Sequence, residues 1–277
     1  MTSLARIRTI SAVTLGILGM LWLATAHSTD SAKENRRNAP GVPVIVELFT
    51  SQGCSSCPAA DAFLNDLANN QPVDGLHIIP LSLHVDYWDD MGWKDSFSHR
   101  RHSIRQQLYA SVIGDKRIYT PQMIINGRSA FTGSDTATAM QALRLYGTAA
   151  KLPVHVYLND DRRAVIRVAG VNMLPRPIMG HVVLALTEDG LETEILRGEN
   201  RGRSLSNVGV VRNIGIVGTV SLGPGADRAG FSREVELDLQ PGWNPEHMHV
   251  VVFVQDIEKM RVLGATARPL STPVKKR

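Results

Sequence analysis

The sequence predicts an α/β fold in two parts: a strand–helix unit over residues 42–150, then an all-β, sandwich-like unit over residues 151–270. Three observations carry that prediction. An apolar run, Val42–Phe49, leads through a short loop into Cys54-Ser55-Ser56-Cys57 and a helical pattern. From Lys151 onward, strand-like runs follow one another with no convincing helix between them. The change of texture falls near Gly147 to Pro153. A chain of 277 residues is comfortable for two ordinary domains. Its 43% hydrophobic and 20% charged content is that of a globular protein.

The N-terminus reads as an export signal over residues 1–26. Arg6 and Arg8 form a positive segment, an apolar run follows from about Ile10 to Leu23, and Ala24-Thr25-Ala26 supplies small residues for cleavage. The rival is an uncleaved anchor, since the run approaches the lower limit for spanning a bilayer. Cleavage removes Arg6 and Arg8, lowers the formal charge from +4 to +2, and leaves no stable membrane insertion. Residues 27–41 are polar without apolar period and read as a flexible tether. Residues 271–277 end the chain as a short basic tail. Basic residues are scattered and aromatic content is 5%, which argues against a nucleic-acid partner.

Within the first unit, Val42–Phe49 is a buried strand and Pro58 starts a helix whose apolar face carries Phe63, Leu64 and Leu67. Asn69-Asn70-Gln71-Pro72 stops it. His77–Val85 is a second buried strand, and Asp86–Ser98 a structured loop. Phe97–Ile113 reads as helix with Ile104, Leu108 and Val112 on one stripe. A strand after Pro121 runs into Asn126-Gly127, a strong hairpin signal, and Ser134 or Asp135 caps a last helix through Tyr146. In the second unit the strand-like runs are 154–158, 164–168, 181–186, 192–196, 208–220, 235–239 and 250–255.

Two cysteines three apart close too small a loop to stabilise much by chain entropy. The spacing suits switching rather than stapling. At a helix N-terminus the unpaired N–H groups and the macrodipole favour a thiolate. Cys54 is therefore the exposed nucleophile, and Cys57, one turn inside the helix, resolves the mixed disulfide.

The order strand, Cys-x-x-Cys, helix, strand, helix, Thr-Pro, strand, Asn-Gly, helix resembles thioredoxin-like proteins. More narrowly, three segments resemble a secreted bacterial thioredoxin-like family of unassigned function. They are Glu47-Leu48-Phe49-Thr50-Ser51-Gln52-Gly53-Cys54-Ser55-Ser56-Cys57-Pro58, His84-Val85-Asp86-Tyr87-Trp88-Asp89 and Tyr119-Thr120-Pro121-Gln122-Met123. The resemblance extends through Arg197-Gly198-Glu199-Asn200. It implies a cis Thr120–Pro121 bond beside the cysteines, where the backbone pairs with a substrate strand. It also implies a buried carboxylate near the position of Glu47 as proton acceptor for Cys57. The chain departs from thioredoxin itself: no Trp precedes Cys54, the central pair is Ser-Ser, and one extra residue separates Glu47 from the cysteines.

The function these features predict is thiol–disulfide exchange with exported proteins or a redox partner, in the periplasm or outside the cell, without prosthetic group or metal. Catalysis falls to Cys54, Cys57, Pro121 and Glu47; Thr120, His84 and Trp88 shape substrate access. One alternative is a scaffold whose disulfide is permanently oxidised. Another is a Cu(I)-handling protein in which both thiolates and His84 hold the metal. His84, Asp86, Tyr87, Trp88 and Trp93 read either as packing over the domain or as a rim beside the disulfide. Glu47 reads equally as an edge carboxylate. His99 and His102 have a metal-compatible spacing, but with Arg100 and Arg101 between them read as a solvated face. Glu199-Asn200-Arg201 is turn chemistry or part of a docking surface.

Overall fold

A computed structural model describes residues 41–114, 116–147, 151–170, 176–226 and 230–271. The signal segment, nearly all of the tether and residues 272–277 of the tail lie outside them. β1 (Val42–Thr50) enters the centre of the fold and is followed by α1 (Cys57–Asn70) and β2 (Leu76–His84). Then come α2 (Arg100–Ile113), the hairpin β3 (Gln122–Ile125) and β4 (Ser129–Thr132), and α3 (Thr136–Gly147). β1 pairs in parallel with β2 and antiparallel with β3, which pairs antiparallel with β4. The strand order β2-β1-β3-β4 results.

Among the described residues the regular elements of the second half are all strands, apart from a 3₁₀ turn at Pro245–His247. β5 (Val154–Asn159), β6 (Arg163–Val168) and β11 (Phe231–Glu236) form a three-stranded sheet. β8 (Leu191–Glu194) and β9 (Ser204–Asn207) form a separate hairpin. β7 (Ile178–Glu188), β10 (Val210–Leu222), β12 (Met248–Asp256) and β13 (Val262–Pro269) join the strands of the first half. Together they make one eight-stranded sheet, β13-β12-β7-β10-β2-β1-β3-β4. The join is β2 with β10, in parallel through Ser82 and Val210, reinforced by the Ser82 N–H donating to the Gly209 carbonyl at 2.8 Å. The change of texture near residue 150 thus divides the chain but not the sheet.

Strand alternation explains the core. On β1, Val44, Val46 and Leu48 pack under α1 and α3 with Leu64, Leu67 and Leu143, while Ile45 and Phe49 face α2 and Tyr109. On β12, Val250, Val252 and Val254 meet the three-stranded sheet, and Val251 and Phe253 point to the opposite face. Strands buried on both faces carry near-continuous apolar runs for this reason, and the sandwich expected of the second half forms where the small sheet covers the large one.

α2 departs from its pattern. Ile104, Leu108 and Val112, expected to face the core, are 44%, 53% and 38% exposed. The buried face is His102, Ser103, Gln106 and Tyr109. This helix covers polar groups of the sheet, so hydrogen bonding rather than hydrophobicity sets its orientation. It starts at Arg100, where His99 Nδ1 caps it by accepting the Arg101 N–H at 3.0 Å. His102 is not on a solvated face: it is buried, and its Nδ1 donates to the His84 carbonyl at 2.8 Å.

Candidate functional site

Beyond β1 the chain turns through Ser51–Gly53, the Cys54 N–H donating to the Ser51 carbonyl at 3.2 Å and the Gly53 N–H to Ser51 Oγ at 3.0 Å. Cys54 and Cys57 are joined in a disulfide, with Cα atoms 5.4 Å apart. Cys57 is the first residue of α1, after the N-cap Ser56, rather than one turn inside the helix. Pro58 occupies the first turn, where no N–H is needed. The cysteines are 1% and 0% exposed, so the expectation of an exposed Cys54 is not met.

The hairpin of β8 and β9 is the reason. Its connecting loop lies over the cysteine segment, and buried Asn200 donates from Nδ2 to the carbonyls of Gln52 and Cys54, each at 2.9 Å. The Ser55 N–H donates to Glu199 Oε2 at 3.0 Å. The Ser55 hydroxyl and this N–H together hold the Glu199 carboxyl below the usual carboxylate range. Gln52 donates from Nε2 to Thr193 at 3.0 Å and accepts the Trp93 indole N–H at 3.1 Å. Gly198 (φ +76°) sits where a Cβ would come within 3.1 Å of Trp93 Cβ, so the cap and the loop after β2 close against each other.

Thr120–Pro121 is cis. A Cβ on Gly133 would lie 3.1 Å from Ala60 Cβ and 3.2 Å from Pro121 Cβ, which places Pro121 beside the first turn of α1. Thr120 is half-buried, its shielded hydroxyl facing the Tyr87 phenol. Trp88 lies over the cysteine turn, its Cβ 3.6 Å from where a side chain on Gly53 would begin.

Two expected roles change. Glu47 alternates with Ile45 and Phe49, so it faces α2, on the side of the sheet away from α1 and the cysteines. There Arg105 Nε donates to it at 2.5 Å, and the Tyr109 hydroxyl donates as well. Gln255 ties Arg105 and Tyr109 together from β12 at 3.0 and 2.8 Å. Glu47 is half of a buried ion pair, not a relay to Cys57. His84 is fully buried: its Nδ1 bonds Asp95 Oδ2 at 2.7 Å and its Nε2 bonds Ser82 Oγ at 3.2 Å. With both ring nitrogens engaged, His84 is not poised as a copper ligand.

His84 belongs instead to a polar cluster under the helix start. Burial pulls its pKa down, but the charge and hydrogen bond of Asp95 and the charge of Asp61 outweigh this and leave it above the ordinary value. Asp95 is pushed up by burial. The charge and hydrogen bond of His84 and the N–H groups of Gln52 (2.8 Å) and Phe97 (2.9 Å) carry it below the usual range. Asp61, one turn beyond Cys57, is raised to about 6, chiefly by burial. Asp61 and Asp95 have no role in the sequence reading, and Asn200 figures there only as turn chemistry or part of a docking surface. Asp61 sits in an otherwise apolar helical face four residues after Cys57, a legible signal. The other two are brought in from distant loops.

These features define a mixed α/β protein with a buried Cys-x-x-Cys disulfide at a strand–helix junction, closed by a hairpin from the second half. The chain belongs to the family described as protein of unknown function (DUF1223), whose pattern matches residues 45–255. Its fold is similar to that of an Agrobacterium tumefaciens protein solved by structural genomics, at 24% identity and TM-score 0.64 over 86% of this chain and all of that one. It is similar also to HBP35 of Porphyromonas gingivalis, at 14% identity and TM-score 0.59 over 86% of this chain and 79% of that one. No curated protein matches the chain.

Proposed function

We propose that this protein is an exported, periplasmic or secreted thiol–disulfide oxidoreductase, built on a thioredoxin-like unit and acting on disulfides or thiols of other exported proteins. The observation that carries the reading is the Cys54–Cys57 bond at the junction of β1 and α1, with cis Pro121 beside the same helical turn. The strand order β2-β1-β3-β4, with its parallel and antiparallel pairings, supports the thioredoxin-like half. Export rests on the signal-like residues 1–26. Among the described residues no helix is long and apolar enough to cross a membrane.

In the reduced protein the Cys54 thiolate, stabilised by the helix start, attacks a substrate disulfide and displaces one substrate thiolate. Cys57 then attacks the Cys54 sulfur, re-forms the internal bond and releases the second substrate thiolate. Two electrons pass from the cysteine pair to the substrate, and a dithiol donor restores the pair. Run backwards, the exchange oxidises substrate dithiols. Because Cys54 is covered, substrate enters only when the Glu199–Asn200 cap lifts.

Burial of both sulfurs favours a second reading, a scaffold whose disulfide is permanent. The test is an insulin-type reduction assay with partner trapping. Wild type should turn over, Cys54→Ser should not, and Cys57→Ser should accumulate mixed disulfides with exported proteins. No turnover by wild type and no trapped partners would leave the scaffold.

A further inference from the structure

Three elements converge beneath Cys57. Asp61 lies four residues along α1, so the two side chains share one helix face about 5–6 Å apart at Cβ. Thr50 ends β1 and His84 ends β2, and the two are register partners. By alternation with Val44, Val46, Leu48 and Ile78, both point to the α1 side of the sheet. Asp95, from the loop after β2, completes the group through His84. Asp61 is buried, and the one group its carboxyl faces from β1 is the Thr50 hydroxyl, an approach too loose to close a hydrogen bond at Oδ1. Buried carboxylate oxygens in folded proteins are nearly always partnered. A carboxylate so weakly held, one turn from a cysteine on the same helix face, keeps an oxygen available to a proton.

We propose that Asp61 is the proton acceptor for the Cys57 thiol when that thiol resolves the mixed disulfide, the part the sequence assigned to Glu47. The inference rests on the oxidoreductase reading. The Cys57 S–H proton passes to the Asp61 carboxylate as the sulfur attacks Cys54. The Cys54–Cys57 bond forms, the Cys54–substrate bond breaks, and the substrate sulfur leaves as a thiolate that water protonates. The substrate disulfide is the oxidant, and the cysteine pair is oxidised. In the reverse direction the Asp61 carboxylic acid returns the proton to the departing Cys57 thiolate. The charged groups facing Asp61 are His84 from β2 and, behind it, Asp95. Thr50 faces it from β1 and is uncharged. Burial makes the carboxyl a stronger base than a surface aspartate, and attraction to His84 and the Thr50 hydroxyl pull it partly back. Its pKa of about 6 is suited to accepting a proton near neutrality.

The decisive experiment is a single-turnover measurement on the full-length reduced protein with a small aromatic disulfide as substrate. It follows formation and resolution of the mixed disulfide separately from pH 5 to 9. In Asp61→Asn, formation at Cys54 should keep its wild-type rate. Resolution at pH 7 should slow by tenfold or more and rise with pH as the Cys57 thiol ionises unaided. Wild-type resolution should instead level off above pH 6. A wild-type resolution rate and profile in Asp61→Asn would overturn the assignment while leaving the oxidoreductase reading intact. Absence of any exchange in wild type would remove that reading itself. Should Asp61→Asn fail to fold, carboxyl carbon titration of the wild-type protein decides. An Asp61 midpoint that differs between the reduced and oxidised forms is expected, and an identical one overturns the proposal.

Discussion

Replacing Asn200 with alanine removes the two buried hydrogen bonds that fasten the cap to the carbonyls of Gln52 and Cys54. An intramolecular hydrogen bond contributes about 1 kcal/mol net, so the pair contributes about 2 kcal/mol. Part of this is offset because Asn200 Oδ1 is buried without a partner in the closed state. The closed form should therefore lose about 1–2 kcal/mol relative to the open one, roughly a five- to thirtyfold rise in the open population. Reduction of the Cys54–Cys57 bond by a small thiol reads this directly when opening precedes attack, because the observed rate scales with the open fraction. Asn200→Ala should be reduced five to thirty times faster than wild type at equal thiol concentration, with little change in overall melting. Glu199→Gln should give a smaller effect, since its bond to the Ser55 N–H is solvent-exposed. Equal rates for wild type and Asn200→Ala would mean that the cap does not control access.

The buried cluster predicts an uncommon pH dependence. His84, raised above its ordinary value, contributes stability that is complete below about pH 6.5 and is lost as pH climbs through its folded pKa. Asp61, raised to about 6, acts with the same sign from about pH 4 to 6. Chemical unfolding of Asp95→Asn should accordingly lack the wild-type decline above pH 6.5, and an unchanged decline would exclude His84 as its source. Glu47→Gln leaves Arg105 unpaired in the interior and should cost about 3–5 kcal/mol, seen as a large fall in melting temperature. Full stability with lost turnover would instead return Glu47 to the chemistry. Gly209→Ala places a Cβ 2.6 Å from the Pro80 carbonyl at φ +60°. It should destabilise by at least about 2 kcal/mol, and a neutral result would show that the β2–β10 join can shift.

Much of the first half is legible in the sequence because its signals are local. The apolar run of β1, Pro58 at the start of α1 and Asn126-Gly127 in the hairpin each specify their own backbone. Where local periodicity competes with distant polar groups it misleads. Ile104, Leu108 and Val112 make a convincing apolar stripe, yet Arg105, Gln106 and Tyr109 turn inward because Glu47, Gln122 and Gln255 await them. β13 is hard to read because Gly264, Ala265 and Ala267 are small. Gly264 is held by a close approach to the Leu152 backbone, 2.3 Å from where its Cβ would stand. The cysteine pair and Pro121 are found by spacing and resemblance, but their cover is not. Asn200 and Asp95 act across separations of more than a hundred and about forty residues respectively, which no window along the chain can see.

The eight-stranded sheet also sets a timetable. Chains fold N-terminal region first, at about 5–20 residues per second during synthesis. β1, α1, β2 and the β3–β4 hairpin can assemble among themselves, but β2 keeps a bare edge until β10 is delivered roughly 130 residues later, on the order of ten seconds at that pace. Asn200 arrives over the same interval, so Cys54 and Cys57 stay open to oxidants while the second half is still incomplete. The disulfide can thus be made before its cover exists, and the hairpin then closes over a finished bond. An interrupted chain ending near residue 150 should be alkylated readily at both cysteines under reducing conditions and should associate through β2, and the completed chain should be alkylated more slowly because both cysteines are buried.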